Sequence, residues 1–224
     1  MMAVVLAGGQ GRRLRPLTDV VPKPLVEVGG RPIIEWQIGW LRRYGVDEFL
    51  VCAGYLKEKI ICRLGNGSRL GVRIGYVVED EPLGTGGALR NAEPFLRGEP
   101  GFYVVNGDIL TDLDPRPLAR LDGYLASLAL VPLRSPYGIV ETEGDKVTAF
   151  REKPLLEHWV NAGVYYMTPQ ALKYMPEKGD LERTAFPQLA KEQKLKAVKY
   201  KAKWKSIDTH KDLQEAEKIV KLLA

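Results

Sequence analysis

A chain of 224 residues, 45% hydrophobic and 27% charged, can bury a full core and fits one domain over residues 1–224. Its net charge of +5 is spread along the chain, which argues against a nucleic-acid-binding face and leaves room for a local cationic pocket for a phosphorylated ligand. Cys52 and Cys62 lack metal or redox spacing, the N-terminus reads as a strand rather than a signal peptide, and no run reaches the roughly 18 apolar residues of a membrane span. The expectation is a soluble, cytoplasmic protein with reduced thiols and neither membrane nor nucleic acid as partner.

In chain order, Ala3–Leu6 is a continuous apolar strand. Pro32 opens a helix whose Ile34, Ile38 and Leu41 share one face. Phe49–Ala53 is a second strand, followed by a helical stretch over Leu56–Leu64, a strand at Val72–Val78, a helix over Gly86–Leu96 and a strand at Phe102–Asn106. Strands alternating with helices predict a parallel sheet covered on both faces, with ligands at the carboxyl ends of the strands. Beyond residue 120 the runs Leu125–Leu133, Gly138–Glu141, Lys146–Arg151 and Val160–Met167 suggest further, partly antiparallel strands. A helix over Leu181–Gln193, interrupted at Pro187, and a last one from His210 carrying Leu213, Ala216, Val220 and Leu223 complete the pattern. The fold class is therefore α/β: a Rossmann-like three-layer sandwich with a mostly parallel central sheet and extra antiparallel strands in the C-terminal half. A nucleotide-binding half spans about residues 1–120 and a sugar-binding half about 121–224, without a linker between them.

The stretch LAGGQGRRLRPLT, residues 6–18, sits between the first strand and the first helix, where a phosphate loop belongs. The G-x-G-x-x-G spacing of dinucleotide folds cannot be laid on Gly8, Gly9 and Gly11, and no acid is placed to read a ribose after the second strand, so a dehydrogenase is excluded. The Walker pattern is absent too. Glycines here allow backbone N–H groups to approach a phosphate chain or base edge, with Arg13, Arg15 and Lys23 as neutralising cations. Taken alone, such a loop is equally a tight turn with solvated arginines.

LAGGQGRRLRPLT followed by PKPLVEVGGRPIIEW resembles the signature of the sugar-1-phosphate nucleotidylyltransferases, and further motifs agree in order from Val4 to about Leu213. The resemblance implies that Leu6, Ala7, Gly8, Gly9 and Gly11 hold the nucleotide through their backbone, that Arg13 contacts the β and γ phosphates, and that Lys23 contacts the α phosphate. Arg12 and Arg15 fall on variable positions. EDEPLGTGGALRNA, residues 79–92, matches the second nucleotide segment and adds Glu79, Pro82, Gly84 and Thr85, with Gly84, Gly86 and Gly87 as a turn under the base and a helix from Ala88. In VVNGD, residues 104–108, the resemblance gives Gly107 to the nucleotide and Asp108 to Mg²⁺; Asp112 and Asp114 read as loop and cap residues.

REKP, residues 151–154, and NAGVYYM, residues 161–167, resemble the sugar-phosphate segments. Glu152 and Asn161 would then bind sugar hydroxyls, Lys153 the sugar's phosphate, and Gly138 and Gly163 would admit the ring; Glu-Lys-Pro is also compatible with a solvated turn. WKSIDTH, residues 204–210, departs from the commonest tail and looks like the cytidylyltransferase variant. It makes Asp208 the second Mg²⁺ carboxylate, with capping of the last helix as the rival role.

The implied reaction joins a nucleoside triphosphate to a sugar 1-phosphate and releases pyrophosphate. The attacking phosphate, with a second pKa of about 6, is already anionic, so neither His158 nor His210 is needed as a base. Catalysis rests on Arg13, Lys23, Asp108 and Asp208. Glu79 stands where uridylyl- and thymidylyltransferases carry a glutamine. An ionised glutamate only accepts hydrogen bonds, which favours the adjacent N1–H and amino donors of guanine, and the segment also resembles mannose-1-phosphate and heptose-1-phosphate guanylyltransferases. The tail argues instead for CTP. Alternatives are a glucose-1-phosphate or alcohol-phosphate cytidylyl- or thymidylyltransferase, and a non-catalytic regulatory subunit that binds nucleotide sugar. Self-association into a homo-oligomer stays open, and an appended acyltransferase domain is not expected.

Overall fold

The computed structural model describes residues 1–220; Leu223, assigned to the last helix by its spacing, lies outside the described residues. The strands are β1 (Met2–Ala7), β2 (Glu27–Val28), β3 (Arg31–Pro32), β4 (Glu48–Ala53), β5 (Arg73–Val78), β6 (Phe102–Asn106), β7 (Ile109–Thr111), β8 (Ala126–Arg134), β9 (Ile139–Glu143), β10 (Lys146–Arg151), β11 (Leu155–Met167), β12 (Leu195–Lys199) and β13 (Trp204–Ser206). The helices are α1 (Leu17–Val20), α2 (Ile33–Arg42), α3 (Lys57–Leu64), α4 (Gly84–Leu96), α5 (Ala185–Lys191) and α6 (His210–Val220). Among the described residues no helix is long and apolar enough to cross a membrane.

One seven-stranded sheet runs in the order β12-β8-β11-β6-β1-β4-β5. Strands β6, β1, β4 and β5 are parallel, β11 runs antiparallel to both β6 and β8, and β12 returns parallel to β8. The central sheet is mostly parallel, as the alternating pattern predicts. β9 and β10 form a separate antiparallel hairpin.

The unbroken apolar run of β1 follows from cover on both faces. Ala3, Val5 and Ala7 pack with Ile34, Ile38 and Leu41 of α2 and with Ile60 and Leu64 of α3. Val4 points the other way, into a cluster with Leu89, Ala92 and Leu96 of α4 and Leu189 of α5. Each such fully buried aliphatic side chain contributes about 1.5–3 kcal/mol, so a charge at Val5 would open the sheet at its centre. A third cluster joins Leu14, Val26 and Val28 to Leu110, Ile207, Ala216 and Val220. It fastens the segment carrying Arg13 and Lys23 against the C-terminal part of the chain.

Two helices differ from expectation. α4 starts at Gly84 rather than at Gly86 or Ala88, because the turn at 179–180 supplies partners for its first amides: Gly86 N and Gly87 N donate to Gly179 O at 2.9 and 3.2 Å. α5 starts at Ala185, so Pro187 lies in its first turn, where the missing N–H is not needed, and does not interrupt it. Residues 181–184 form the turn before it. Lys196 and Lys199 lie on β12, an edge strand where charge deters further pairing.

Candidate active site

Parallel pairing aligns the carboxyl ends of β1, β4, β5 and β6. The register Leu6↔Asn106 and Ala7↔Ala53 sets the loop at 8–11 beside residues 107–108 and beside the segment after β5. These loops enclose a cavity of about 410 Å³. Leu6, Ala7, Gly8, Gly9, Gly11, Arg13, Lys23, Glu79, Pro82, Gly84, Thr85, Gly107, Asp108 and Asp208 all line it, so the whole nucleotide and metal set read from the sequence meets in one place. Arg12, Pro24, Ala88, Asn106 and Asp180 line it as well. Arg15 is not among them and pairs with Asp19 at 3.0 Å.

At one end Lys23 Nζ donates to Asp108 Oδ2 at 2.6 Å and to Asp208 Oδ1 at 2.8 Å, and Arg13 reaches the same Asp208 oxygen at 2.8 Å. A short ladder creates this meeting. β7 pairs antiparallel with β13, Ser206 opposite Ile109, and Ile207 N donates to Asp108 O at 2.9 Å, which draws together two carboxylates far apart in sequence. Burial disfavours the Asp208 charge, yet Lys23, with help from Ser206 and Arg13, holds its carboxyl below the usual carboxylate range. Capping of α6 falls to other residues: Asp212 Oδ2 accepts from Thr209 N at 2.8 Å while Asp212 N donates to Thr209 Oγ1 at 3.3 Å, a capping box. Asp208 keeps its carboxylate for the cavity, and the rival capping role is overturned. Asp112 accepts from Lys203 N and Asp114 from Arg116 N, the loop and cap roles read for them.

At the other end Glu79, 6% exposed, accepts from Leu83 N at 3.2 Å. Burial raises its carboxyl above the usual range, and the Leu83 amide opposes this only in part. A side chain at position 8 would come within 3.1 Å of both Glu79 carboxylate oxygens, so Gly8 lets the first loop lie directly against this acid. Gly86 and Gly87 serve packing, and the expected turn under the base is corrected: a Cβ at either would strike the 176–179 segment at 2.7–2.8 Å.

The five residues read for the sugar do not line the cavity. Glu152 and Lys153 are exposed and paired with each other at 3.4 Å, and Lys153 takes a φ of +44°, uncommon away from glycine. Gly138 lies against Phe150 and Glu152. Asn161 turns inward, accepting from Gly163 N and donating to Tyr165 OH, both at 2.9 Å. Gly163 packs on Asn106, which connects this side to the cavity wall. Asp180 escaped the motif reading; the turn Lys178-Gly179-Asp180 before α5 is its only local signal.

The chain matches the family model described as nucleotidyl transferase over residues 2–221. It is 34% identical over 224 residues to the mannose-1-phosphate guanylyltransferase catalytic subunit beta of Danio rerio, covering 95% of this chain and 62% of that protein. Similarity to the mannose-1-phosphate guanyltransferase of Yarrowia lipolytica has the same identity and coverage. The chain thus spans less than two thirds of the length of these curated relatives. Among solved structures, HddC from Yersinia pseudotuberculosis superposes with a TM-score of 0.78 at 28% identity, covering 98% of this chain and 99% of that one. The same protein complexed with GMP-PN gives a TM-score of 0.76 at 26% identity, with the same coverage.

Proposed function

This chain belongs to the nucleotidyl transferase family, and on that premise we propose that it transfers a guanylyl group from GTP to a hexose 1-phosphate, mannose 1-phosphate foremost, releasing pyrophosphate. The observation that carries the reading is the polarity of this cavity, with buried Glu79 at one end and Arg13, Lys23, Asp108 and Asp208 at the other. Glu79 accepts the N1–H and amino hydrogens of guanine, a pairing that neither uracil nor thymine can supply. Two mannose-1-phosphate guanylyltransferase relatives and a structural neighbour complexed with GMP-PN support the choice of base and sugar.

An oxygen of the sugar phosphate, anionic at neutral pH, attacks the α phosphorus of GTP; the bond to the β phosphate breaks and pyrophosphate leaves. No group has to remove a proton. Lys23 and Arg13 draw charge from the triphosphate, and Lys153 does the same for the incoming sugar phosphate. The donor set fits Mg²⁺: two carboxylates converge on one cation, and with phosphate oxygens they make the hard, all-oxygen environment that Mg²⁺ takes in place of a closed protein cage. Asp108 and Asp208 would hold it, and when bound it would neutralise phosphate charge and orient the groups for in-line displacement. The convergence of two cations and two carboxylates favours catalysis over a purely regulatory role. Unpaired cysteines, Cys52 buried and Cys62 exposed, support a reduced, cytoplasmic setting.

The test is pyrophosphate release with mannose 1-phosphate and each of GTP, CTP, UTP and dTTP, with and without chelator. GTP-dependent, chelator-sensitive release is expected. A preference for UTP or dTTP, or no release with any triphosphate, overturns the proposal.

A further inference from the structure

Residues 176–182 bring to the cavity a side chain that no motif contains. Gly179 N donates to Leu83 O at 2.8 Å, Gly179 O receives the Gly86 and Gly87 amides, and Leu181 N donates to Thr85 Oγ1 at 2.9 Å. Thr85 Oγ1 in turn donates to Glu182 Oε2 at 3.2 Å. Contact closer than any side chain at Gly86 or Gly87 would allow completes the seat of this turn on the first turn of α4. These bonds, from the backbone and from Thr85, fix the turn without the Asp180 side chain.

Asp180 lines the same cavity as Glu79 and Thr85. Its Oδ1 takes only the Thr85 amide, at 3.4 Å, and its Oδ2 receives no hydrogen bond from the described residues. Asp180 is exposed where it lines the cavity, and an ionised carboxylate accepts and never donates, so a substrate group that displaces water from it has to present a donor. Ionised phosphate oxygens have none to give and are drawn to Lys23 and Arg13. On the reading given above, the donor edge of the base belongs to Glu79. The donors left on the substrates are hydroxyls.

Resting on that reading, we propose that Asp180 is a specificity-determining residue that accepts a hydrogen bond from a substrate hydroxyl, on the ribose of the nucleotide or on the hexose. Glu79 and Asp180 together then oblige the bound molecule to turn its donors toward α4 and its phosphates toward Asp108. The bond requires no movement of the turn, whose seat is already made.

The experiment crosses Asp180→Ala with removal of single hydroxyls. Steady-state KM is measured for wild type and variant with the preferred triphosphate, its 2′-deoxy and 3′-deoxy forms, and 1-phosphates of the hexose and its deoxy analogues. For one hydroxyl, removal should raise KM about tenfold in the wild type, as expected for a bond to a charged group, and leave it unchanged in Asp180→Ala. Asp180→Asn, which keeps a carbonyl acceptor, should restore part of the difference and serves as the variant if Asp180→Ala does not fold. Which analogue responds tells ribose from hexose. If every deoxy penalty is the same in wild type and variant, the proposal fails. Because the triphosphate used is whichever one the wild type prefers, a failure of GTP in the earlier panel overturns the base assignment separately.

Discussion

Two regions carry the residues proposed for the two substrates, and they are built to different standards. The loops at 8–13 and 79–85 and residues 107–108 follow strands whose two faces are both packed, and Lys23, Asp108 and Asp208 are tied to one another at 2.6–2.8 Å. Glu152 and Lys153 instead follow a two-stranded hairpin on which Val140, Val147 and Phe150 are exposed; their side chains pair with each other, and the Lys153 carbonyl accepts from Arg134 Nη1. Sheet register, the third hydrophobic cluster and the β7–β13 ladder together position the first region. The second has little packing to hold it, so its residues stand outside the cavity that the first one encloses.

If that contrast is functional, the largest loss should come from the tightly bonded side. Lys23→Ala is expected to lower turnover by about 10²–10³, the scale of removing a charge-stabilising donor from a preorganised site, measured as pyrophosphate release at saturating substrates. Asp108→Asn should behave similarly. Wild-type turnover in either would break the assignment.

Glu79→Gln comes next. The ratio of kcat/KM for GTP over UTP should fall about tenfold or more, because an amide can serve the pyrimidine edge and offers guanine one acceptor too few. Burial raises the Glu79 carboxyl in the folded chain, so the folded state binds this proton more tightly than the unfolded chain. Its ionisation therefore costs stability as pH rises through the raised value. Glu79→Gln should accordingly melt higher than wild type at neutral pH, with the gap closing as pH falls, while wild-type affinity for GTP weakens over the same acid range. A lower melting temperature for the variant at pH 7 would contradict this.

On the loosely packed side, Lys153→Ala should raise KM for the sugar phosphate about tenfold, one charge-assisted contact, and leave the thermal shift produced by GTP unchanged. An equal loss for both substrates would mean that the two regions do not divide the work. The smallest effect is expected from Asp212→Ala, which removes the capping box of α6 together with the acceptor of the Asp208 amide and of Lys205 Nζ; it should cost about 1–2 kcal/mol, read as a modest fall in melting temperature.

The tightly packed region was also the more legible one. Glycines between an apolar strand and a helix marked the first loop, and Asp108, just after the apolar strand β6, was legible through the resemblance of VVNGD to the family's motif. The helix at 185–191 was misread because Pro187 looks like a breaker until its place in the first turn is known. β12, LKAVK, lies beyond the helix read to Gln193 and carries no strand signal of its own, since its two lysines break the apolar pattern and an edge strand is defined by its neighbour β8. Asp180 was invisible for a related reason: its position depends on the 176–180 segment meeting the glycines of α4, a contact that no local pattern encodes.

The β7–β13 ladder makes one corner of the cavity conditional on a remote pairing. Asp108 lies just after β6, whereas Asp208 reaches Lys23 from the short strand Trp204–Ser206 laid antiparallel on β7. Two segments far apart in the chain must therefore be closed on each other before both acids face the same lysine, and damage to three residues of edge pairing would separate them without touching either carboxylate.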